Sequence, residues 1–201
     1  RFKLWVVGGT LPLQSAQTNR VYNTTLVFNP LGDNTARYDK IHLFRFQRGK
    51  EAYDEGKVLL AGTRPVKTSV NGLQVGLSTC YDLRFPELYR AMLPLDLIVV
   101  PAAFTYTTGK VHWELLLKAR AVENQCYVLG CGQGGTHRSG RRTWGQSMII
   151  DPWGEVLAQK ETEGPGIVLA QLSSHRMTEI REQLPALSHR VLPGVPPASL
   201  A

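Results

Sequence analysis

The residues best equipped for chemistry lie in "VGLSTCYDLRFPEL", residues 75 to 88, where Cys80 ends an apolar run and a charged, proline-broken segment follows. The order strand, cysteine, turn, Pro-Glu, helix puts its thiol at the strand end just before a helix N-terminus. In an α/β layer that edge is where reactive groups collect. A helix dipole and a nearby cation would favour the thiolate, the nucleophilic form. The competing reading is packing, since a free cysteine behaves as a small hydrophobe. Cys126 and Cys131 lie five apart on one strand-like run, so they face opposite ways, cannot share a metal from that strand, and both read as core. "GLSTC" is no G-x-S-x-G elbow, no glycine-rich phosphate loop precedes a helix, and His112, His137 and His175 lack metal-ligand spacing. His42, read as lying mid-strand, suits a structural hydrogen bond. With no histidine base in sequence context, a nucleophile at Cys80 needs a carboxylate base.

The elements that must position Cys80 follow from periodicity and turn chemistry. "LWVVGGT" (4 to 10) reads as a buried strand ending in a glycine turn. Residues 24 to 44 read as two strands joined through Asn-Pro-Leu-Gly-Asp, and residues 45 to 57 as a surface loop. Strands follow at 73–80 and 95–104, with a helix from Pro86 between them. "HWELLLKARAVENQ" (112 to 125) is a helix with Trp113, Leu116, Leu117 and Ala121 on one side. Arg120 falls amid that stripe and, if buried, needs an acidic or carbonyl partner. Strands are expected at 126–132 and 166–172, a hairpin at 147–159, and a last helix at 174–184 capped by Ser174. The proline-rich tail, 192–201, reads as an extended arm. Residues 1–201 read as one domain with a mixed sheet carrying helices, an α/β layered architecture.

Composition narrows the function classes. At 201 residues, 43% hydrophobic and 19% charged, the chain is of globular type, without an apolar run of transmembrane length. Its net charge of +7 is scattered, the tightest cluster being "HRSGRR" (137 to 142), with no nucleic-acid module or zinc spacing beside it. Neither a nucleic-acid nor a membrane partner is expected. Three cysteines make no disulfide framework and point to a reducing, cytoplasmic setting.

Four ordered blocks, "YDKIHLF", "CYDLRFPEL", "HWELLLKARAVENQCYV" and "WGQSMIIDPWGEVLA", together resemble the carbon–nitrogen hydrolase (nitrilase) superfamily. "ENQCYV", "GQGGTH", "EGPG" and "REQLPALSHR" are most similar to the deaminated glutathione amidase branch, with the omega-amidases as near neighbours. The resemblance implies a four-layer α-β-β-α sandwich and hydrolysis of a small carboxamide through a Cys thioester, with ammonia released. It implies Cys80 as nucleophile, Lys40 as the fixed cation for thiolate and oxyanion, and Glu55 as the acid that orients Lys40, with Asp54 as its rival. The Tyr81 N–H would be the other oxyanion donor. No metal or organic cofactor is implied, and a homodimer is. Arg84 and Glu87 have two readings, a pocket rim or a rigidifying ion pair, of which the ion pair is preferred. Glu114 either lines the site or pairs with Lys118. Arg141 and Arg142 could meet an acidic substrate tail.

One departure stands against the superfamily pattern. Its general base is a glutamate upstream of the lysine, whereas residues 1–39 hold Asp33 and Asp39 and no glutamate. "LWVVGG" matches the superfamily's third strand, so N-terminal elements are expected to be missing. Poor turnover and a tendency to aggregate are the matching expectations, with an inactive remnant serving as an interaction module as the alternative function.

Overall fold

Strand-forming side chains dominate both halves of the chain, and the computed structural model, which describes residues 2–16, 19–49, 51–160 and 164–192, arranges them in two main sheets. Strands β1 (Val6–Gln14), β2 (Val21–Phe28) and β3 (Asn34–Asp39) pair antiparallel in that order. The turn between β2 and β3 is the expected one: Asn29 Oδ1 accepts from the Leu31 and Asp33 N–H groups, and Gly32 takes φ +93°. Gly8 and Gly9 make no turn. Strand β1 runs through them with a register shift, and a Cβ on Gly9 would stand 2.6 Å from the Pro101 side chain. Glycine there permits close approach of the two sheets.

The loop expected over 45–57 is instead a hairpin of β4 (Arg45–Arg48) and β5 (Glu51–Asp54), followed by a 3-10 turn at Glu55–Lys57. Only Phe46 and Tyr53, directly opposed, supply its apolar face, and so short an alternation is hidden among charges. Strand β6 (Leu59–Leu60) then runs parallel to β2.

In the second half, β7 (Val66–Val70) and β8 (Leu73–Leu77) are followed by α1 (Pro86–Met92), β9 (Leu97–Ala102), α2 (Tyr106–Asn124) and β10 (Tyr127–Gly132). A ribbon of β11 (Gly134–Thr136) and β12 (Arg142–Trp144) stands apart; β13 (Met148–Ile150), β14 (Val156–Gln159) and α3 (Ser174–Gln183) complete the elements. The second sheet runs β14-β13-β10-β9-β8-β7, with β8, β9 and β10 parallel as helical crossovers require. Val27 and Tyr38 of the first sheet meet Val75, Leu77 and Val99 of the second in one core. On the other side, Leu88, Tyr89, Trp113, Leu117 and Ala121 cover Ile98, Val100, Val128 and Ile150. The result is an α/β sandwich whose described residues make three layers, sheet, sheet and helices.

Other expectations are corrected in detail. Helix α2 begins six residues before His112, behind a Thr105 cap whose Oγ1 accepts from the Thr108 N–H at 3.4 Å. Residues 166–172 pair with no described strand, and Ile167 and Leu169 stand 86% and 81% exposed. Their alternation suits a strand, but alternation cannot supply a neighbouring edge. The α3 cap is Ser173, accepting from the Arg176 N–H, not Ser174. Cys126 is buried, but Cys131 is exposed: it lies on the sheet face away from α2, beyond the covered part of the core. His42 follows β3 rather than sitting within a strand. The tail beyond 192 lies outside the described residues.

Arg120 finds both kinds of partner expected of it, donating to Leu83 O at 3.0 Å and pairing with Glu123. Leu117, fully buried beneath the second sheet, fills the space that Gly130 leaves open. Leu117→Ala should therefore lower stability by about 2–5 kcal/mol, the usual cost of such a cavity. A urea unfolding midpoint within error of the parent would contradict this packing.

Candidate active site

Strand β3 delivers Lys40 to a closed place. Asp39 is held by Thr24 Oγ1 at 2.5 Å and Arg37 Nε at 3.1 Å, and the Lys40 N–H donates to Asn23 O. The chain passes so closely here that a Cβ on Gly62 would stand 2.1 Å from Asp39 O, and only glycine fits. Lys40 is 0% exposed. A buried ammonium requires a paired, hydrogen-bonded counter-charge, and its Nζ donates to Glu55 Oε2. The same oxygen accepts the Phe44 N–H at 2.7 Å, while the Glu55 N–H donates to Phe44 O. Asp54 is used otherwise, accepting from the Gly56 N–H where the 3-10 turn begins.

Strand β8 delivers Cys80. The Ser78 N–H and Oγ both donate to Val99 O, which locks the strand end, and Cys80 then takes φ +52°. That left-handed conformation costs a non-glycine residue roughly 1–3 kcal/mol and persists only where the surroundings over-determine it. Here they do. Cys80 opens a 3-10 turn, Cys80–Arg84, whose Asp82 is wholly buried. Asp82 Oδ2 accepts from the Thr79 N–H at 2.9 Å and from Tyr38 OH at 2.6 Å; Oδ1 accepts from the His42 N–H at 3.0 Å and from His42 Nδ1 at 2.7 Å. A carboxylate only accepts, so Nδ1 carries the His42 proton. Burial first, and then the Asp82 charge, push the Tyr38 hydroxyl far above its ordinary value, which keeps it a donor. The His42 ring stacks on Phe85 at 3.7 Å. Asp82 was not among the sequence candidates; an acid two residues after the cysteine, in the charged segment that follows it, was the available signal.

The half-buried Cys80 thiol sits on the wall of a cavity of about 20 Å³ with Phe44, Glu55, Tyr81, Arg84, Phe104 and Arg141. That space admits about one water. Burial pushes the thiol above its ordinary value. Lys40, the Ala103 N–H and Arg141 pull it back, and Glu55 adds to the rise. The Tyr81 N–H belongs to the first turn of the 3-10 segment, where backbone donors lack helical acceptors.

The remaining candidates separate. Arg84 makes no ion pair with Glu87 among the described residues; its Nη1 meets His112 Nδ1 at 3.2 Å and its guanidinium lies over Tyr81 and Phe104. The pocket-rim reading is therefore the one that fits. Glu114 is not on the cavity wall and pairs with Lys118 at 2.6 Å. Arg141 lines the Cys80 cavity, whereas Arg142 lies over the Tyr106 ring on a separate cavity of about 370 Å³. Among the described residues, no group of three or more His, Cys, Asp or Glu side chains is gathered for a metal, and no helix is long and apolar enough to cross a membrane.

Two stacked sheets with a buried lysine–glutamate pair brought to a cysteine at a strand end define a nitrilase-type α/β sandwich. The chain belongs to the carbon–nitrogen hydrolase family, whose pattern its residues 1–182 match. It is 44% identical over 197 residues to a deaminated glutathione amidase of Synechocystis, covering 95% of this chain and 72% of that protein. It is 39% identical over 190 residues to the human omega-amidase NIT2, covering 93% and 68%. The C. elegans NitFhit crystal structure superposes with a TM-score of 0.87 at 38% identity, over 94% of this chain. This chain spans about half, 47%, of the NitFhit chain.

Two outcomes are expected of this geometry. Replacing Asp82 with Leu should cost roughly 3 kcal/mol or more, because hydrogen bonds to a charged group are worth about 1.5–3 kcal/mol each; unchanged denaturant unfolding would refute that weight. Lys40→Met removes the largest influence that lowers the Cys80 thiol, so its pKa should rise further. The pH profile of Cys80 alkylation by iodoacetamide, which follows the thiolate, should then move to higher pH. A profile that stays in place or moves down would remove Lys40 from the site's electrostatics.

Proposed function

We propose that this chain is a carboxamide hydrolase, with Cys80 as nucleophile, Lys40 and the Tyr81 N–H stabilising the oxyanion, and Glu55 orienting Lys40. One observation carries the reading: a wholly buried lysine is tied to Glu55, whose side chain reaches the same cavity wall as a cysteine held at positive φ. Arg84 belongs to the rim of that cavity; Glu114 is a helix-surface residue.

The Cys80 sulfur attacks the amide carbon, an S–C bond forms, and the carbonyl π pair moves to oxygen, facing the Lys40 ammonium and the Tyr81 N–H. The thiol proton is delivered to the amide nitrogen, the C–N bond breaks, and ammonia leaves a thioester. Water adds to the thioester carbon, the C–S bond breaks, and the carboxylic acid and free thiol are released. The proton relay is the demanding part. The thiol is pushed up by burial, and Glu55, the one carboxylate on the described cavity wall, already accepts from Lys40 and Phe44. Because burial disfavours the thiolate, thioester formation that quickens as pH rises is the expected behaviour.

The substrate class favoured is a deaminated glutathione-like amide, on the 44% identity to the Synechocystis protein; the 39% identity to omega-amidase NIT2 supports 2-oxo acid amides as the second reading. One domain spanning 1–201, a cytoplasmic setting and a homodimer complete the proposal. The shared inter-sheet core supports the first, and exposed Val111 and Leu115 on α2 support the last.

Ammonia release from such amides, with mass spectrometry of the acylated chain, tests the reading. Cys80→Ala should abolish both signals, and ammonia release surviving in that variant would sink the assignment.

A further inference from the structure

Two arginines, adjacent in sequence, part company in the fold. Arg142 sits over Tyr106, with its Cζ 3.8 Å from the ring centroid, on the wall of the larger cavity. Arg141 turns the other way, onto the wall of the Cys80 cavity. There its Nη2 donates to Ala103 O at 2.8 Å and its guanidinium rests over the Tyr53 ring at 5.2 Å, so the planar group is held from two sides. Its Nε is buried and meets no acceptor. No carboxylate pairs with it among the described residues.

A buried donor without an acceptor costs about 1–3 kcal/mol, a cost that a ligand carrying an acceptor would remove. The surrounding charge says what kind of ligand. Arg84 and Arg141 share the cavity wall, and Lys40 stands behind Glu55. Three cations therefore face a single carboxylate, and that carboxylate is occupied by Lys40 and the Phe44 N–H. Arg84 is engaged with His112 and lies against the Tyr81 and Phe104 rings. Arg141 is the guanidinium with a donor left over.

We propose that Arg141 is the specificity-determining residue of the Cys80 site, receiving a carboxylate carried by the molecule that reacts there. The assignment rests on the hydrolytic reading for its substrate class, an amide bearing an acid group, though not for its geometry. A guanidinium fixed by Ala103 O and Tyr53 presents its remaining N–H groups in a preset direction, and a carboxylate matches that fork where a neutral group does not. Rejection of uncharged amides follows, because they would leave the donor buried and unpaired.

The test compares two alkylating agents that differ in charge and reach Cys80 alike, iodoacetate and iodoacetamide. Rates on the Cys80 peptide are read by mass spectrometry and expressed as the iodoacetate-to-iodoacetamide ratio, so any change in thiol ionisation cancels. The parent chain should exceed the same ratio for N-acetylcysteine. Arg141→Met should lower it by on the order of ten- to a hundredfold, the weight of a charge-assisted hydrogen bond. Arg141→Lys should restore part of it, and Arg142→Met should leave it unchanged. A ratio unaltered in both Arg141 variants overturns the proposal. So does a parent chain that prefers the neutral reagent, or a Cys80 that neither reagent labels. Failure of the hydrolytic reading is seen separately: no ammonia from any amide, with the ratio still dependent on Arg141.

Discussion

A single buried carboxylate joins the two halves of the site. Asp82 accepts from Tyr38 on the first sheet, from His42 just beyond it, and from Thr79 in its own turn, so the segment bearing Lys40 and the turn bearing Cys80 hang on the same two oxygens. Neither half could be placed by sheet packing alone. The sheets meet through apolar contacts, which tolerate sliding, whereas four directed hydrogen bonds to one buried charge do not. The left-handed backbone at Cys80 depends on the same anchor. Beneath it, Arg120 draws Leu83 onto α2, and Ser78 holds the strand end to β9.

The second constraint is the cost of Lys40. An ammonium with no exposed surface is tolerated because Glu55 meets it, and Glu55 is placed by a hairpin and a 3-10 turn that bring its carboxylate to the Phe44 N–H. This pair shapes the thiol's surroundings. Burial opposes the thiolate, while Lys40, the Ala103 peptide and Arg141 favour it, so Cys80 rests as a thiol near a reserve of positive charge. Such an arrangement disfavours the resting thiolate while leaving cations in place to meet negative charge that develops beside it.

Much of this could be read from residue types. The apolar runs of the second sheet, the proline at the start of α1, the stripe on α2 and the Asn-Pro-Leu-Gly-Asp turn are local signals, written within a few residues. Lys40 and Cys80 were nameable because family blocks contain them, and Glu55 was implied by the same resemblance with Asp54 as its rival. Other features were not readable. The β4–β5 hairpin has one apolar pair to betray it. The exposure of Cys131, the unpaired run at 166–172 and the parting of Arg141 from Arg142 are decided by what lies opposite, which a single segment does not encode.

What the sequence by itself determined was the inventory: an α/β chain, a cysteine at a strand-to-helix turn, a lysine and a glutamate at family positions, and a surplus of basic groups. Tertiary structure decided which of these meet. It buried Lys40 against Glu55, made Asp82 the anchor, moved Arg84 from an ion pair to the cavity rim and turned Arg141 inward with a donor unspent. The physical reason is range. Periodicity and turn chemistry act over a few residues, whereas Tyr38 and Asp82 are 44 residues apart, and contacts at that separation exist only once the sheets have closed on each other.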